Sequence, residues 1–250
     1  MIKMIAVDLD RTLLHSDGSV SAYTKRVLAQ CRAVGIKLAL ASARPMRTMK
    51  PYVECLEADG AACCNGAYIW MMEEETHRSL DRGAAERFLR RVQDAYPESD
   101  ISAEIDDTLY ANFEIPQWHP TLVPDWTHLP KGEVRKLLLT YAGEAHLGHV
   151  RTLLEPGMQL SVANGKLIQV QSSGAGKWNA LSLLAARWGI QPSEIACFGD
   201  DWDDLEMISR AGWGVAVGNA LPEVKAAADE VTASNDRDGV AKALERLLRE

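Results

Sequence analysis

Acidic, hydroxyl and basic side chains stand directly after short apolar runs at three places in the chain, and these are the residues that could do chemistry. They are the segments DLDRT (residues 8–12), SAR (residues 42–44) and GDDWDD (residues 199–204). A fourth polar candidate, Lys177, follows Gly174-Ala175-Gly176 at the start of a predicted helix. Because ligands of parallel α/β sheets bind beyond the carboxyl ends of the strands, we expect these four elements to meet at one edge of a sheet.

Up to six carboxylates would converge at that edge. They would repel one another unless a divalent cation and the lysine neutralised them, and hard oxygen ligands favour Mg²⁺ over zinc or copper. A cation and a lysine beside a carboxylate and a hydroxyl suit a phosphoryl group, whose oxygens need cationic partners while a nucleophile attacks in line. Each residue alone has a simpler interpretation, since Asp and Ser are common helix N-caps and a single lysine is usually solvated.

The segments that must position these candidates alternate between strand and helix. Apolar runs at 4–7 and 37–41 predict two strands, and an amphipathic helix over 22–34 lies between them. Later in the chain, three predicted strands (195–198, 213–217 and 230–232) alternate with four predicted helices (178–188, 205–210, 223–228 and 240–248). This βαβ alternation predicts a parallel sheet with helices on both faces.

The middle of the chain has a different pattern. A charged helix over 84–95 and short strands over 100–105, 108–112, 135–141 and 167–171 predict an inserted α+β domain. Residues 116–130, rich in proline and tryptophan, predict an irregular connection within it. We therefore expect a core made of residues 1–78 and 173–250, interrupted by an insert at 79–172.

Composition excludes several classes of function. Acidic residues (35) exceed basic ones (27), and the formal charge of -8 argues against a nucleic-acid partner. The chain has no apolar stretch long enough to span a membrane, and the apolar start of the chain is too short for a signal-peptide core. The five cysteines contain no CxxC pair, which favours reduced, buried thiols in a cytoplasmic protein.

In this order and at these separations, DLDRT, Ser42, Lys177 and GDDWDD resemble the four signature motifs of the haloacid dehalogenase-like superfamily. The tail GVAVGNA (residues 214–220), followed by DGVA (residues 238–241), is similar to the C-terminal region of the Cof-type phosphatases of that superfamily. The resemblance covers both core segments, and the insert only by its length and position. It implies a Rossmann-like parallel-sheet core with a large α+β cap, of the C2 type, inserted between the third strand and the lysine.

The resemblance also implies a role for each motif residue. Asp8 would be the nucleophile that forms an aspartyl-phosphate, and Asp10 the general acid that protonates the leaving oxygen and later activates water. Mg²⁺ would be bound by the Asp8 carboxylate, the Asp10 backbone carbonyl and Asp200. Lys177 would be a catalytic residue that also binds the phosphate. The other contacts to the phosphate or substrate would come from Ser42, Ala43, Arg44, Asn65 and Asp203. Thr12 and Asp204 would support the site.

Three positions depart from the family pattern. Arg11 stands where glycine is customary, Ser42-Ala43 replaces Thr-Gly, and Asp203 stands where asparagine is usual. Serine keeps the hydroxyl group. Arg11 adds a cation and loses the backbone freedom of glycine, and Asp203 adds an anion, so both bear on catalytic efficiency and substrate choice.

The expected function is a Mg²⁺-dependent, cytoplasmic phosphatase of small phosphomonoesters, namely sugar phosphates or related metabolites. Two alternatives stay open: a phosphomutase of the same fold, similar to the phosphomannomutases, and a non-catalytic protein that binds a phosphometabolite. Asn65-Gly66 is interpreted equally well as a simple turn or as part of the substrate pocket. The sequence does not indicate the oligomeric state.

Some aromatic and histidine residues have a weaker claim to function. His146 and His149 lie three residues apart on a predicted helix, and we interpret them as a solvated face because no third metal ligand is nearby in the sequence. Trp118 and Trp126 are the aromatic residues that we keep as ligand candidates. Four other tryptophans lie in apolar runs and are expected in the core, namely Trp70, Trp178, Trp188 and Trp213.

Overall fold

A computed structural model describes residues 1–72, 74–123, 125–163 and 165–249. Its strands are β1 (Met4–Asp8), β2 (Lys37–Ala41), β3 (Gly60–Cys63), β4 (Tyr68–Met71), β5 (Glu74–His77), β6 (Ile101–Ile105), β7 (Thr108–Ala111), β8 (Thr121–Leu122), β9 (Val134–Thr140), β10 (Met158–Ala163), β11 (Leu167–Ser172), β12 (Ile195–Gly199), β13 (Trp213–Ala216) and β14 (Glu230–Val231). Its α-helices are α1 (Ala22–Ala33), α2 (Met46–Leu56), α3 (Arg82–Ala95), α4 (Glu144–Thr152), α5 (Lys177–Arg187), α6 (Leu205–Arg210), α7 (Pro222–Ala227) and α8 (Gly239–Leu247).

Two compact units divide the chain. The first comprises Met1–Thr76 and Gly176–Glu250, and the second comprises His77–Ala175. An α/β unit formed from both ends of the chain is therefore interrupted by one continuous α+β segment. The expected fold class is confirmed, whereas the role of the second unit as a cap stays a prediction.

An eight-stranded sheet forms the centre of the first unit, in the order β14-β13-β12-β1-β2-β3-β4-β5. The strands from β14 to β3 pair in parallel, and β4 runs antiparallel to β3. Strand β1 is buried along its whole length, as expected for a central parallel strand covered on both faces. In the register of the sheet, Val7 pairs with Phe198 and Asp8 with Ala41, so the carboxyl ends of β12, β1 and β2 lie side by side.

Two groups of helices accompany this sheet. Helix α1 contacts α2 and α8, and helix α6 contacts α5 and α7. Helix α1 illustrates why these segments form helices, because Ser21 caps its first turn by accepting a hydrogen bond from the Thr24 backbone N–H. Its buried residues Val27, Leu28 and Cys31 recur at the spacing that places them on one face, where they join the core.

The second unit is built on a six-stranded sheet in the order β10-β11-β9-β6-β7-β8. Its strands pair antiparallel except for β7 and β8, which pair in parallel. Apolar residues of α3, including Phe88 and Leu89, join those of the sheet in a hydrophobic cluster. Within 116–130, which we predicted to be an irregular connection, the short strand β8 pairs with β7; residue 124 of that segment lies outside the described residues.

Within the described part of the chain, no helix has both the length and the apolar character needed to cross a bilayer.

Candidate active site

Three polar residues end or follow the adjacent strands β12, β1 and β2. Asp8 is the last residue of β1, Ser42 follows β2, and Asp200 follows β12. All three are buried. The parallel register of these strands brings the three residues to one edge of the sheet, as the sequence predicted.

Lys177, the first residue of α5, reaches this edge with a buried ammonium group. Its Nζ donates hydrogen bonds to Asp8 Oδ1 at 2.7 Å and to Asp204 Oδ1 at 2.6 Å. The backbone just before α5 can pack closely against Gly66 because this residue has no side chain; a Cβ on Gly66 would lie 2.4 Å from the carbonyl oxygen of Gly176. Lys177 is thus a buried cation held between two buried carboxylates.

Both carboxylate oxygens of Asp204, in the GDDWDD segment, accept hydrogen bonds. One of its oxygens accepts the hydrogen bond from Lys177, and the other accepts from the backbone N–H groups of Asp200 at 2.9 Å and Asp201 at 3.1 Å. A Cβ on Gly199 would lie 2.4 Å from the Cβ of Asp204, so only glycine fits there. Asp204 therefore supports both Lys177 and the backbone that presents Asp200.

Asp8, Asp200 and Asp204 could together hold a metal ion, since one carboxylate oxygen of each lies within 4.8 Å of the others. Asp204 already has both oxygens engaged. Asp200 uses Oδ1 to accept a hydrogen bond from the Thr12 hydroxyl at 2.8 Å, and its Oδ2 lies 3.7 Å from Arg11 Nε. Asp8 and Asp200 are thus the better pair of side-chain ligands.

Burial is the main influence on the pKa values of the ionisable groups in the site. Burial raises the pKa of Asp8 well above its usual range, with Asp204 adding to the effect and Lys177 opposing it. Burial also raises the pKa of Asp200 to about 6. Burial opposes the charge on Lys177, but Asp204 and Asp8 outweigh it and raise the lysine pKa above its ordinary value. Oxygen ligands with uncompensated negative charge fit a hard divalent cation.

The turn that follows β1 carries Asp10 and Arg11. The backbone N–H of Leu14 donates to the carbonyl of Leu9 at 2.9 Å and closes the turn, and Arg11 within it adopts a left-handed conformation with φ of 62°. That conformation favours glycine, the residue customary here, and costs an arginine about 1 to 2 kcal/mol. The departure from glycine at Arg11 therefore carries a local backbone cost.

Two asparagines that we did not predict as site residues hold this turn. Asn219 Nδ2 donates to the carbonyl of Arg11 at 2.7 Å, and the backbone N–H of Asn235 donates to Asn219 Oδ1 at 2.9 Å. Asn235 Nδ2 donates to the carbonyl of Leu14 at 2.9 Å. The only signal in the sequence for either residue is the GNA segment quoted above, which contains Asn219.

Asp10 lies outside the buried carboxylate cluster. Arg44 donates to both of its oxygens, from Nε to Oδ2 at 2.7 Å and from Nη2 to Oδ1 at 2.6 Å. The backbone N–H of Arg44 donates to the Ser42 hydroxyl at 3.2 Å. Ala43, between them, is half-buried and offers only a methyl group and its backbone.

Asn65 reaches the same edge of the sheet. It is buried in a short turn after β3, where its backbone N–H donates to the Ser42 carbonyl at 2.9 Å and its Nδ2 to Asp203 Oδ2 at 2.8 Å. Its buried Oδ1 has no hydrogen-bond partner among the described residues. Asn65-Gly66 is thus a turn, and the side chain of Asn65 also belongs to the candidate site, which gives Asp203 a neutral amide as its partner.

Several of the weaker candidates belong to other environments. Trp126 has no exposed surface and lies in the hydrophobic cluster of the second unit, so its prediction as a ligand candidate is replaced by a core role, whereas Trp118 is 59% exposed. His149 is exposed, as expected for a solvated face, and its Nδ1 shares a hydrogen bond with the Tyr96 hydroxyl at 2.7 Å. Of the five cysteines, Cys55 is exposed, which corrects the expectation that all are buried.

Comparison with known proteins adds to this geometry. Residues 5–244 match the family of haloacid dehalogenase-like hydrolases. The chain is 27% identical over 263 residues to the 5-amino-6-(5-phospho-D-ribitylamino)uracil phosphatase YitU of Bacillus subtilis, covering 98% of this chain and 97% of the relative. It is 26% identical over 265 residues to the pyridoxal phosphate phosphatase YbhA of Escherichia coli, covering 96% of each.

Solved structures are similar over the same length. A haloacid dehalogenase-like hydrolase from Bacteroides thetaiotaomicron is 27% identical and superposes with a TM-score of 0.85, covering 99% of this chain and 100% of that one. The match of the family to nearly all of the sequence agrees with the resemblance that the four motifs carry. This chain therefore belongs to the family of haloacid dehalogenase-like hydrolases.

Proposed function

We propose that this protein is a Mg²⁺-dependent phosphatase of small phosphomonoesters, sugar phosphates or related metabolites, and that it acts through an aspartyl-phosphate on Asp8. The observation that carries the proposal is the buried Asp8 carboxylate, held by Lys177 at the carboxyl end of β1 beside Asp200. The names of the two relatives support it, since both are phosphatases named for a phosphorylated small molecule.

In the first half of the reaction, an oxygen of Asp8 attacks the phosphorus atom and the bond to the ester oxygen breaks. Lys177 fixes Asp8 Oδ1 and brings a positive charge to the developing negative charge of the transferring group. The Ser42 hydroxyl would hold a phosphoryl oxygen. Asp10 gives its proton to the leaving oxygen, so the alcohol departs neutral.

In the second half, water attacks the phosphorus atom of the aspartyl-phosphate while Asp10 accepts its proton. The bond to Asp8 breaks, which releases inorganic phosphate and restores the carboxylate. A magnesium ion held by Asp8, the Asp10 carbonyl and Asp200 would neutralise the phosphoryl oxygens in both halves. Asp204 keeps Lys177 in place throughout, through the hydrogen bond at 2.6 Å.

We further propose that the segment 79–172 acts as a cap that selects the substrate. Contacts to the leaving group must come from residues beyond the phosphate site, and a long insert in the core can supply them and exclude water. Trp118, an exposed aromatic residue of this segment, is the candidate that we keep for contact with the substrate.

A phosphate-release screen across a broad panel of phosphomonoesters tests the proposed function. Wild-type protein is assayed with Mg²⁺ and with a chelator, beside Asp8→Asn and a control, Asp94→Asn, which changes an exposed acid on α3. We expect the wild type to release phosphate with Mg²⁺ present and without a bisphosphate activator. Asp94→Asn should keep this activity, and Asp8→Asn should lose it. Release in chelator, release by Asp8→Asn, or no release from any ester would overturn the proposal.

A further inference from the structure

We propose that Arg44 is a positioning residue for the Asp10 carboxylate and not a ligand of the phosphoryl group; the inference rests on the proposed phosphatase function. The sequence predicts Arg44 as a phosphate-binding residue, since it closely follows Ser42 at the end of a strand. Its contacts in the structure point to a different task. The guanidinium group binds Asp10, the residue that we expect to transfer protons.

The geometry of the pair is bidentate. Arg44 donates through Nε and Nη2 to the two oxygens of Asp10, at 2.7 and 2.6 Å, so one edge of the planar group matches the whole carboxylate. Such charge-assisted pairs are short, and they fix orientation as well as distance. The side chain of Asp10 is 53% exposed and sits in an irregular turn, so without this partner water would compete for it and other rotamers would open.

The guanidinium is itself held from other sides. Its central carbon lies 5.3 Å from the centroid of the Tyr52 ring, and the Tyr52 hydroxyl donates to the carbonyl of Gly18 at 3.1 Å. The backbone of Arg44 is fixed as well, because its N–H donates to Ser42 Oγ and its carbonyl accepts from the Cys64 N–H at 2.9 Å. A cation fastened in this way is preorganised to aim Asp10.

The two possible roles of Arg44 predict different losses of activity on esters with good and with poor leaving groups. General acid help matters most when the leaving alcohol is a poor leaving group, and little when it is an activated phenol. A positioning role therefore predicts a loss that depends on the leaving group. A phosphate-binding role predicts the same loss for every ester, and weaker binding of inorganic phosphate as well.

The experiment compares kcat/KM for p-nitrophenyl phosphate with that for the best alkyl phosphate found in the screen, and adds the inhibition constant of inorganic phosphate. For Arg44→Gln we expect kcat/KM to fall by about tenfold or more on the alkyl ester, out of the 10² to 10⁴ that general acid–base help typically contributes. On the aryl ester we expect a fall below about threefold, and no change in phosphate inhibition, because the proton donor is little used there.

Three further variants complete the test. Arg44→Lys keeps the charge with one donor group and should recover part of the alkyl-ester activity. Tyr52→Leu removes the ring beneath the guanidinium and should give a weaker form of the same pattern, so it carries the test if Arg44→Gln does not fold. Lys50→Gln is the control, since it removes an exposed cation from the same helix α2 and should change neither ester.

Two outcomes would overturn the inference. An equal loss on both esters, together with weaker phosphate inhibition, would make Arg44 a phosphate ligand. Wild-type kinetics in a folded Arg44→Gln protein would leave Arg44 without a role in the reaction. Absence of phosphatase activity in the wild type is a separate result, which would overturn the proposed function instead.

Discussion

The charge balance around Lys177 decides most of what the candidate site can do. One buried ammonium group faces the carboxylates of Asp8 and Asp204, and Asp200 stands beside them with a hydroxyl group and a distant, exposed guanidinium as its partners. Negative charge is therefore left over at the two best metal ligands. A divalent cation would compensate it, and until one binds, the site works against the stability of the fold.

The first prediction follows from the pKa of Asp200, which burial raises from 3.8 to about 6. A raised pKa means that the folded chain holds the proton of Asp200 more tightly than the unfolded chain does. Protonation of Asp200 therefore stabilises the folded state fully below about pH 4, and this contribution is lost as the pH rises through 6. Asp200→Asn cannot ionise. In chelator at pH 7.5 we expect it to unfold in urea with a free energy about 2 to 3 kcal/mol above that of the wild type.

At pH 3.5 the difference should vanish, because both proteins are then neutral at this position. Adding Mg²⁺ at pH 7.5 should stabilise the wild type and leave Asp200→Asn unchanged. Asp94→Asn serves as the control for the loss of one acid. Equal stability of wild type and Asp200→Asn in chelator at pH 7.5 would show that folding does not raise the pKa of Asp200.

At the same scale, the sequence could predict which residues meet but not how they pair. The positions of Asp8, Ser42 and Asp200 at the ends of predicted strands indicate that they meet, because the register of a parallel sheet is regular. The pairing of Arg44 with Asp10 depends on side-chain rotamers in an irregular turn, which no periodicity encodes. Asn219 and Arg11 are 208 residues apart, and such a contact follows only from the tertiary fold.

Among the elements, those with a clear hydrophobic pattern were predictable to within a few residues, and the others were not. Strand β2 was predicted over its observed range, and the helix predicted over 22–34 is observed as Ala22–Ala33. Helix α2 was not predicted, because Pro45 precedes it and Pro51 lies inside it, and proline usually ends helices. Strand β3 (Gly-Ala-Ala-Cys) has no β-branched residue to mark it as a strand.

The turn between β12 and α6 gives the prediction at this scale. In Gly199→Ala the new methyl group would lie 2.4 Å from the Cβ of Asp204, so Asp204 must move and its hydrogen bond to Lys177 is lost. We expect stability to fall by about 1 to 3 kcal/mol, as for overpacked cores, and phosphate release to fall by at least about tenfold.

The control for this change is Gly148→Ala on α4, where a new Cβ has nothing within 4 Å. It should be neutral or slightly stabilising, because alanine favours helix. Both variants are compared by urea unfolding and by phosphate release from the same ester. Full activity in Gly199→Ala would mean that the position of Asp204 is not needed for the reaction.

On the scale of the whole molecule, two units with separate hydrophobic clusters share one chain. Alternation of strand and helix at both ends, and its absence in the middle, predicted this fold class from the sequence. The strand order of the second unit could not be predicted, because its short strands pair by side-chain fit and not by a repeating connection. Separate cores suggest that a substitution in one unit can be tested without disturbing the other.

The two tryptophans of the second unit test that division. Trp126 is fully buried, so Trp126→Ala should destabilise the second unit by about 3 to 5 kcal/mol. Trp118 is exposed, so Trp118→Ala should leave stability unchanged and alter KM for some esters, if the segment 79–172 selects the substrate. Unfolding is followed by urea titration and selectivity by the ranking of the phosphate-release panel. If Trp118→Ala changes neither the ranking of the esters nor any KM, Trp118 does not contact the substrate. If exchange of the whole insert for that of a relative also leaves the ranking unchanged, the segment 79–172 does not select the substrate.

The central claim is that Asp8 is the nucleophile and Asp10 the proton carrier, and a pre-steady-state burst tests it most directly. Asp10→Asn keeps the nucleophile, and p-nitrophenol needs little protonation to leave, so mixing this variant with p-nitrophenyl phosphate and Mg²⁺ should release about one equivalent of phenol per site before slow turnover. Asp8→Asn should release none above background. A burst from Asp8→Asn, or the same steady turnover in both variants, would contradict the assignment.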